Sequence, residues 1–203
     1  RLEVRDGAEA LDQEVGLDLL RQVDHQAGVD GDLDVGEVRD RLDDHLAALL
    51  SDGDEAVRVM AAFALGEVSS LKAADAVLKG LKDDLTTDGV RARLVEAAGK
   101  TASANAGPPN STTDPKAVAL GEAVLDALEA EEAKGEKQYV ETVRLGLTAA
   151  LRTRTKGADT VTALFLTNRN ADVRADAGNT LTRLRAKNAN PALRAMLMND
   201  DNP

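Results

Sequence analysis

Between Val57 and Val68 the apolar positions Val57, Ala61, Ala64, Leu65 and Val68 fall at i, i+4, i+7, i+8 and i+11. That spacing puts them on one stripe of an α-helix. The stripe returns at Val90, Leu94, Ala97 and Ala98, at Val143, Leu147, Ala150 and Leu151, and at Val173, Ala177, Thr180, Leu181 and Leu184. In each copy an arginine follows the leading valine: Arg58, Arg91, Arg144 and Arg174. A second apolar helix precedes each of these. Its markers are Leu42, Leu46, Leu49 and Leu50, then Ala74, Val77, Leu78 and Leu81, then Leu120, Val124, Ala127 and Leu128, then Val161, Leu164 and Phe165. The pattern predicts helical hairpins in tandem, which makes the chain a repeat protein.

The leading valines stand 33, 53 and 30 residues apart. The long step holds Asn105-Ala106-Gly107-Pro108-Pro109-Asn110-Ser111-Thr112-Thr113, a loop by composition, and insertions of this kind map to loops between repeats. Asp114-Pro115 and Asn190-Pro191 each read as an N-cap followed by proline at N1, and Gly135 and Gly157 read as helix C-caps. Asn190 to Met198 reads as a further first helix, and Asn199 to Pro203 as the turn into a partner helix not contained in the sequence. Leu193, Met196 and Leu197 would then lack half their cover, so further repeats or a capping partner are expected after Pro203.

The run from Leu49 to Arg58, followed by Ala64-Leu65-Gly66, resembles the HEAT-repeat superfamily, in particular the short HEAT-like repeats noted in phycobilisome lyases. There an outer helix leads through an Asp/Asn-rich turn into an inner helix that opens with Val-Arg and continues into Ala-Leu-Gly. The second copy keeps Ala97-Ala98-Gly99, whereas the last two carry Arg152 and Thr182 at the glycine position. The resemblance implies an all-α fold, an α-solenoid built as a right-handed superhelix of antiparallel helix hairpins. It covers residues 37–203, as about four hairpins with a fifth incomplete. Residues 1–36 show one helical stripe (Leu11, Val15, Leu19, Val23) and an acidic stretch from Val29 to Gly36, read as an N-terminal helix and linker.

Composition supports a helical core. The only aromatics are Phe63, Phe165 and Tyr139, and Ile and Trp are absent, so Ala, Leu and Val must fill the interior. The absence of Cys excludes disulfides and thiolate chemistry. No apolar run approaches the roughly 20 residues of a membrane span, and no leader is visible, so a cytoplasmic location is expected.

Charge adds a polarity. Residues 137–198 carry 11 Lys/Arg against 4 Asp/Glu, whereas residues 1–136 carry 14 against 30. Such an asymmetry governs association and steering rather than fold.

Candidate chemistry is thin. His25 and His45 are the only histidines. The Asp30-Gly31-Asp32-Leu33-Asp34 run misses the calcium-loop template, with Val35 at position 6 and Arg41 at position 12. Acidic pairs such as Asp83-Asp84 and Glu131-Glu132 read as solvated helix ends, and Gly99-Lys100 lacks the upstream glycine of a phosphate loop. No metal, cofactor or catalytic residue is expected, and the chain is read as a non-enzyme.

Arg58, Arg91, Arg144 and Arg174 are expected to stack repeats by pairing with acids such as Asp54, Asp88 or Asp172. The partner surface is expected at Arg152, Arg154, Lys156, Arg183, Arg185 and Lys187, two clusters that stacking would bring to one edge. Cations near a helix C-terminus also complement the macrodipole, which is the simpler reason for their presence. The reading is a protein-binding scaffold for an acidic protein or a second copy of the chain. The alternative is nucleic-acid binding on the same edge, which the net charge of −11 and the shortage of stacking aromatics disfavour. A chromophore-lyase activity ranks last, because the repeats offer no Cys or His at a suitable position.

Overall fold

The computed structural model describes residues 35–107 and 113–199, and among these are nine α-helices and no strand. The helix expected at Leu11–Val23, most of the acidic stretch after it, and residues 108–112 of the long loop lie outside the described residues. The chain forms two compact units, Arg1–Leu42 and Asp43–Pro203. The first described helix, α1 (Val35–Leu49), runs through that division.

The second unit continues with α2 (Glu55–Val68), α3 (Ala74–Lys82), α4 (Asp88–Ala104), α5 (Pro115–Ala133) and α6 (Val140–Thr153). It ends with α7 (Ala158–Ala163), α8 (Ala171–Leu184) and α9 (Asn190–Asn199). The Val-Arg helices α2, α4, α6 and α8 pack one on the next as a first layer. The intervening helices α3, α5 and α7 form a second, and each pairs with the Val-Arg helix that follows it. This two-layered stack of hairpins is an α-solenoid, and its core lies between the layers. Leu65, Leu94, Leu120, Leu128, Leu147, Leu181 and Phe165 are fully buried there.

Local chemistry sets the helix ends. Asp54, Asp114 and Asn170 accept hydrogen bonds from the main-chain N–H two residues on, satisfying a donor the helix start leaves free. Pro115 follows at N1 of α5 as expected. The pairing expected at Asn190-Pro191 differs. A 3-10 turn, Lys187–Ala189, runs straight into α9, so Asn190 already has helical dihedrals and caps nothing. Gly135 takes φ +57° directly after the end of α5, whereas Gly157, at φ +92°, stands before α7 rather than at the end of α6. The apolar run at Val161–Phe165 is also shorter as an α-helix than its stripe predicts. It tightens into 3-10 geometry at Leu164–Thr167, which buries Phe165 and turns Leu164 outward.

The glycine of the Ala-Leu-Gly signature has a packing reason. A Cβ on Gly66 would stand 3.0 Å from the Ala97 Cα, and one on Gly99 would stand 2.9 Å from the Ala149 Cα. Any side chain at either position would push α2 from α4, or α4 from α6.

Candidate interaction surface

Three of the repeated arginines fold back on their own hairpin. Arg58 donates to the carbonyls of Asp52 (2.7 Å) and Gly53 (3.1 Å). Arg91 donates to those of Leu81 (2.7 Å), Asp83 (3.1 Å) and Thr86 (3.4 Å), and Arg174 to those of Asn168 (2.9 Å) and Arg169 (3.2 Å). A guanidinium on the fourth residue of the second helix thus satisfies carbonyls that the first helix and its turn leave open. These three close a hairpin where carboxylate pairing between repeats was expected. Arg144 instead reaches the next repeat, with Nε 2.7 Å from Asp176 and Nη1 3.9 Å from Asp172.

The outward stripe of the first layer carries a charge network across α2, α4 and α6. Lys100 pairs with Glu67 on α2 and with Glu96 at 2.8 Å. Arg93 pairs with Glu96 at 2.8 Å and with Glu141 on α6 at 3.5 Å. Both cations also lie against the Phe63 ring, at 5.1 Å for Lys100 and 5.6 Å for Arg93. Burial alone would raise the Glu96 carboxyl, but hydrogen bonds from Lys100 and Arg93 outweigh it and hold it below the usual range. Sequence reading missed this network. Its one local signal was the i, i+3 and i+4 spacing of Arg93, Glu96 and Lys100.

The late basic residues have a different environment. Arg152 lies in the last turn of α6, Arg154 caps that helix, and Lys156 follows in the turn. One repeat on, Arg183 lies in the last turn of α8, Arg185 caps it, and Lys187 opens the next turn. All six side chains are exposed, and among the described residues none has a carboxylate within ion-pairing distance. Arg154 donates through Nη2 to the Arg183 carbonyl at 3.3 Å, which joins the two helix ends. The clusters therefore sit side by side, as the repeat register implies. Elsewhere Lys72 pairs with Asp44, Lys116 with Asp75, Lys134 with Asp88 and Glu131, and Arg169 with Glu136.

Residues 42–120 match the family model for HEAT repeats. Those residues carry HEAT repeats. The match takes in the hairpins that keep Gly66 and Gly99 and stops before those bearing Arg152 and Thr182. No curated protein matches the chain.

A broad concavity of about 470 Å³ lies between the α3–α4 turn and α5. Lys82, Asp84, Asp88, Arg91, Asp126 and Lys134 give it mixed charge. Glu131, read from sequence as a solvated acid, is fully buried at its edge. Its carboxylate accepts from the Tyr139 N–H at 2.8 Å and from Lys134 Nζ at 2.7 Å, which ties the end of α5 to the start of α6. Burial works against the Lys134 ammonium, but Glu131 and Asp88 prevail and raise its pKa. Asp88, Arg91, Glu131 and Lys134 in the concavity are thus engaged in holding the turn.

His45 is exposed on α1, while His25 lies outside the described residues. Among the described residues no group of three or more His, Asp or Glu is placed to hold a metal ion. No helix there is long and apolar enough to cross a membrane.

Proposed function

We propose that this HEAT-repeat chain is a non-catalytic scaffold that holds an acidic protein, or the acidic part of a second copy, against the ends of α6 and α8. The observation that carries the reading is the set of six exposed, unneutralised cations on two adjacent turns: Arg152, Arg154, Lys156, Arg183, Arg185 and Lys187. The chain as a whole has a net charge of −11, and these six cations on two adjacent turns are a local reversal of that sign. Stacked hairpins offer an extended surface of the kind such arrays use to hold partners. The excess of acid over base in residues 1–136 gives a second copy the complementary charge.

Nucleic acid is the competing ligand for a cationic edge. Phe165 is fully buried and Phe63 already carries two cations, so neither offers these turns a stacking surface.

Capture from a host extract separates the readings. Wild-type chain is compared with a variant carrying Arg152→Glu, Arg154→Glu, Arg183→Glu and Arg185→Glu, at low and high salt. An acidic protein retained by wild type at low salt and lost from the variant supports the scaffold reading. Recovery of nucleic acid, sensitive to nuclease, replaces it. The same proteins retained by the variant would move the site away from the basic edge.

A further inference from the structure

The backbone at the basic edge is unusual. Arg154 and Arg185 have φ of 50° and 59°, the left-handed conformation in which glycine is favoured and a residue with a Cβ is strained. Ser69 takes the same conformation at the end of α2, with φ 52°, but its hydroxyl donates to the Gly66 carbonyl at 2.5 Å, a local compensation. The Arg185 side chain has no comparable bond among the described residues, and that of Arg154 spans to the neighbouring repeat. Glycine would close either helix with less strain. Both side chains remain exposed and without carboxylate partners.

Neighbouring helices in such stacks lie about 8–10 Å apart. An extended polypeptide in the polyproline II conformation rises about 3.1 Å per residue with three residues per turn, so side chains three residues apart share one face and cover that separation. A helix C-terminus repels anions through its dipole, so the arginines themselves must supply the attraction for any carboxylate bound there.

The geometry points to Arg154 and Arg185 as paired anchors for an extended acidic peptide that crosses the ends of α6 and α8 with carboxylates three residues apart. This rests on the scaffold reading and gives its partner a spacing. Arg152 and Arg183 flank the anchors on the same two helix ends, so each bound carboxylate meets two guanidinium groups. Both anchors are exposed at these helix ends.

The test is fluorescence anisotropy at low salt with two labelled peptides of equal composition. One has four Glu-Gly-Ser units, and the other has its four glutamates contiguous. Wild type is expected to bind the spaced peptide about tenfold more tightly than the contiguous one. The double variant Arg154→Gly, Arg185→Gly is expected to lose that preference and at least about tenfold in affinity, while its melting temperature rises by about 2–4 °C per site. A Lys79→Gln, Lys82→Gln control removes the same charge elsewhere and is expected to bind as wild type.

Equal binding of both peptides by wild type would overturn the spacing and leave the basic-edge reading standing. Binding that survives the double glycine variant but is lost in the four-site charge reversal would overturn the anchors alone. Binding that survives the charge reversal would overturn both. A fall in melting temperature on glycine substitution would show that the left-handed arginines are not strained.

Discussion

The first two hairpins and the last two use one register position in opposite ways. Nine residues after the leading valine stand Gly66 and Gly99 in the early pair, both buried at a helix contact. In the late pair the position holds Arg152 and Thr182, both exposed. The early inner helices approach so closely that a Cβ has no room, and their outward charges are cross-linked by Lys100, Glu96 and Arg93. The late pair gives up the glycine and gains cations that no described carboxylate neutralises. A position can leave the packing of a repeat array without breaking the array, because each hairpin leans only on its neighbours. Where that happens, the freed position can serve recognition.

The sharpest way to break this contrast is Gly99→Val. The added side chain would force α4 and α6 apart, and a loss of about 3 kcal/mol is expected, read as a lower midpoint in urea melts. A Thr182→Gly change in the late pair should cost about 1 kcal/mol or less, the helix penalty of glycine. If Gly99→Val unfolds at the wild-type midpoint, the early helices are not packed to the limit.

A smaller effect separates the two kinds of arginine. Arg91→Met removes the donor to three carbonyls and is expected to cost about 2 kcal/mol, whereas Arg152→Met should stay within about 0.5 kcal/mol. Equal losses would mean that Arg152 has a structural partner after all.

The smallest effect concerns Glu96. Its folded-state pKa lies below the unfolded value, so the stability it contributes is complete above the unfolded pKa and is lost as pH falls through the folded one. Glu96→Gln is expected to lower stability by about 1 kcal/mol at neutral pH, allowing for solvent screening. The gap from wild type should close as melts are taken below about pH 4. A gap that stays constant with pH would assign the effect to packing rather than charge.

Much of the fold was legible because its signals are local. The stripe from Val57 to Val68, the Val-Arg pairs and the Asp114-Pro115 cap each report on a few neighbouring residues. Misreadings came where a local signal had two outcomes. Asn190-Pro191 has the composition of a cap, yet a preceding 3-10 turn already supplies the helix start. Glu131-Glu132 looks like a solvated helix end, but the chain reversal into α6 buries Glu131 and gives it the Tyr139 N–H. At the basic edge, residue identity and register were both readable, and so was the prospect that the clusters would adjoin. The left-handed conformation of Arg154 and Arg185 was not, since nothing in an arginine marks it for that region.

Periodicity, helix-forming composition and capping residues determined on their own that this chain is a tandem array of helical hairpins, because those interactions act within a turn or two of helix. Which charges are neutralised was decided only in three dimensions. A long cationic side chain has carboxylates and carbonyls within reach on several elements, and its choice depends on how far apart packing sets the helices. That choice bent Arg91 back onto its own turn, sent Arg144 to the next repeat, and left Arg152, Arg154, Arg183 and Arg185 exposed without a carboxylate partner among the described residues.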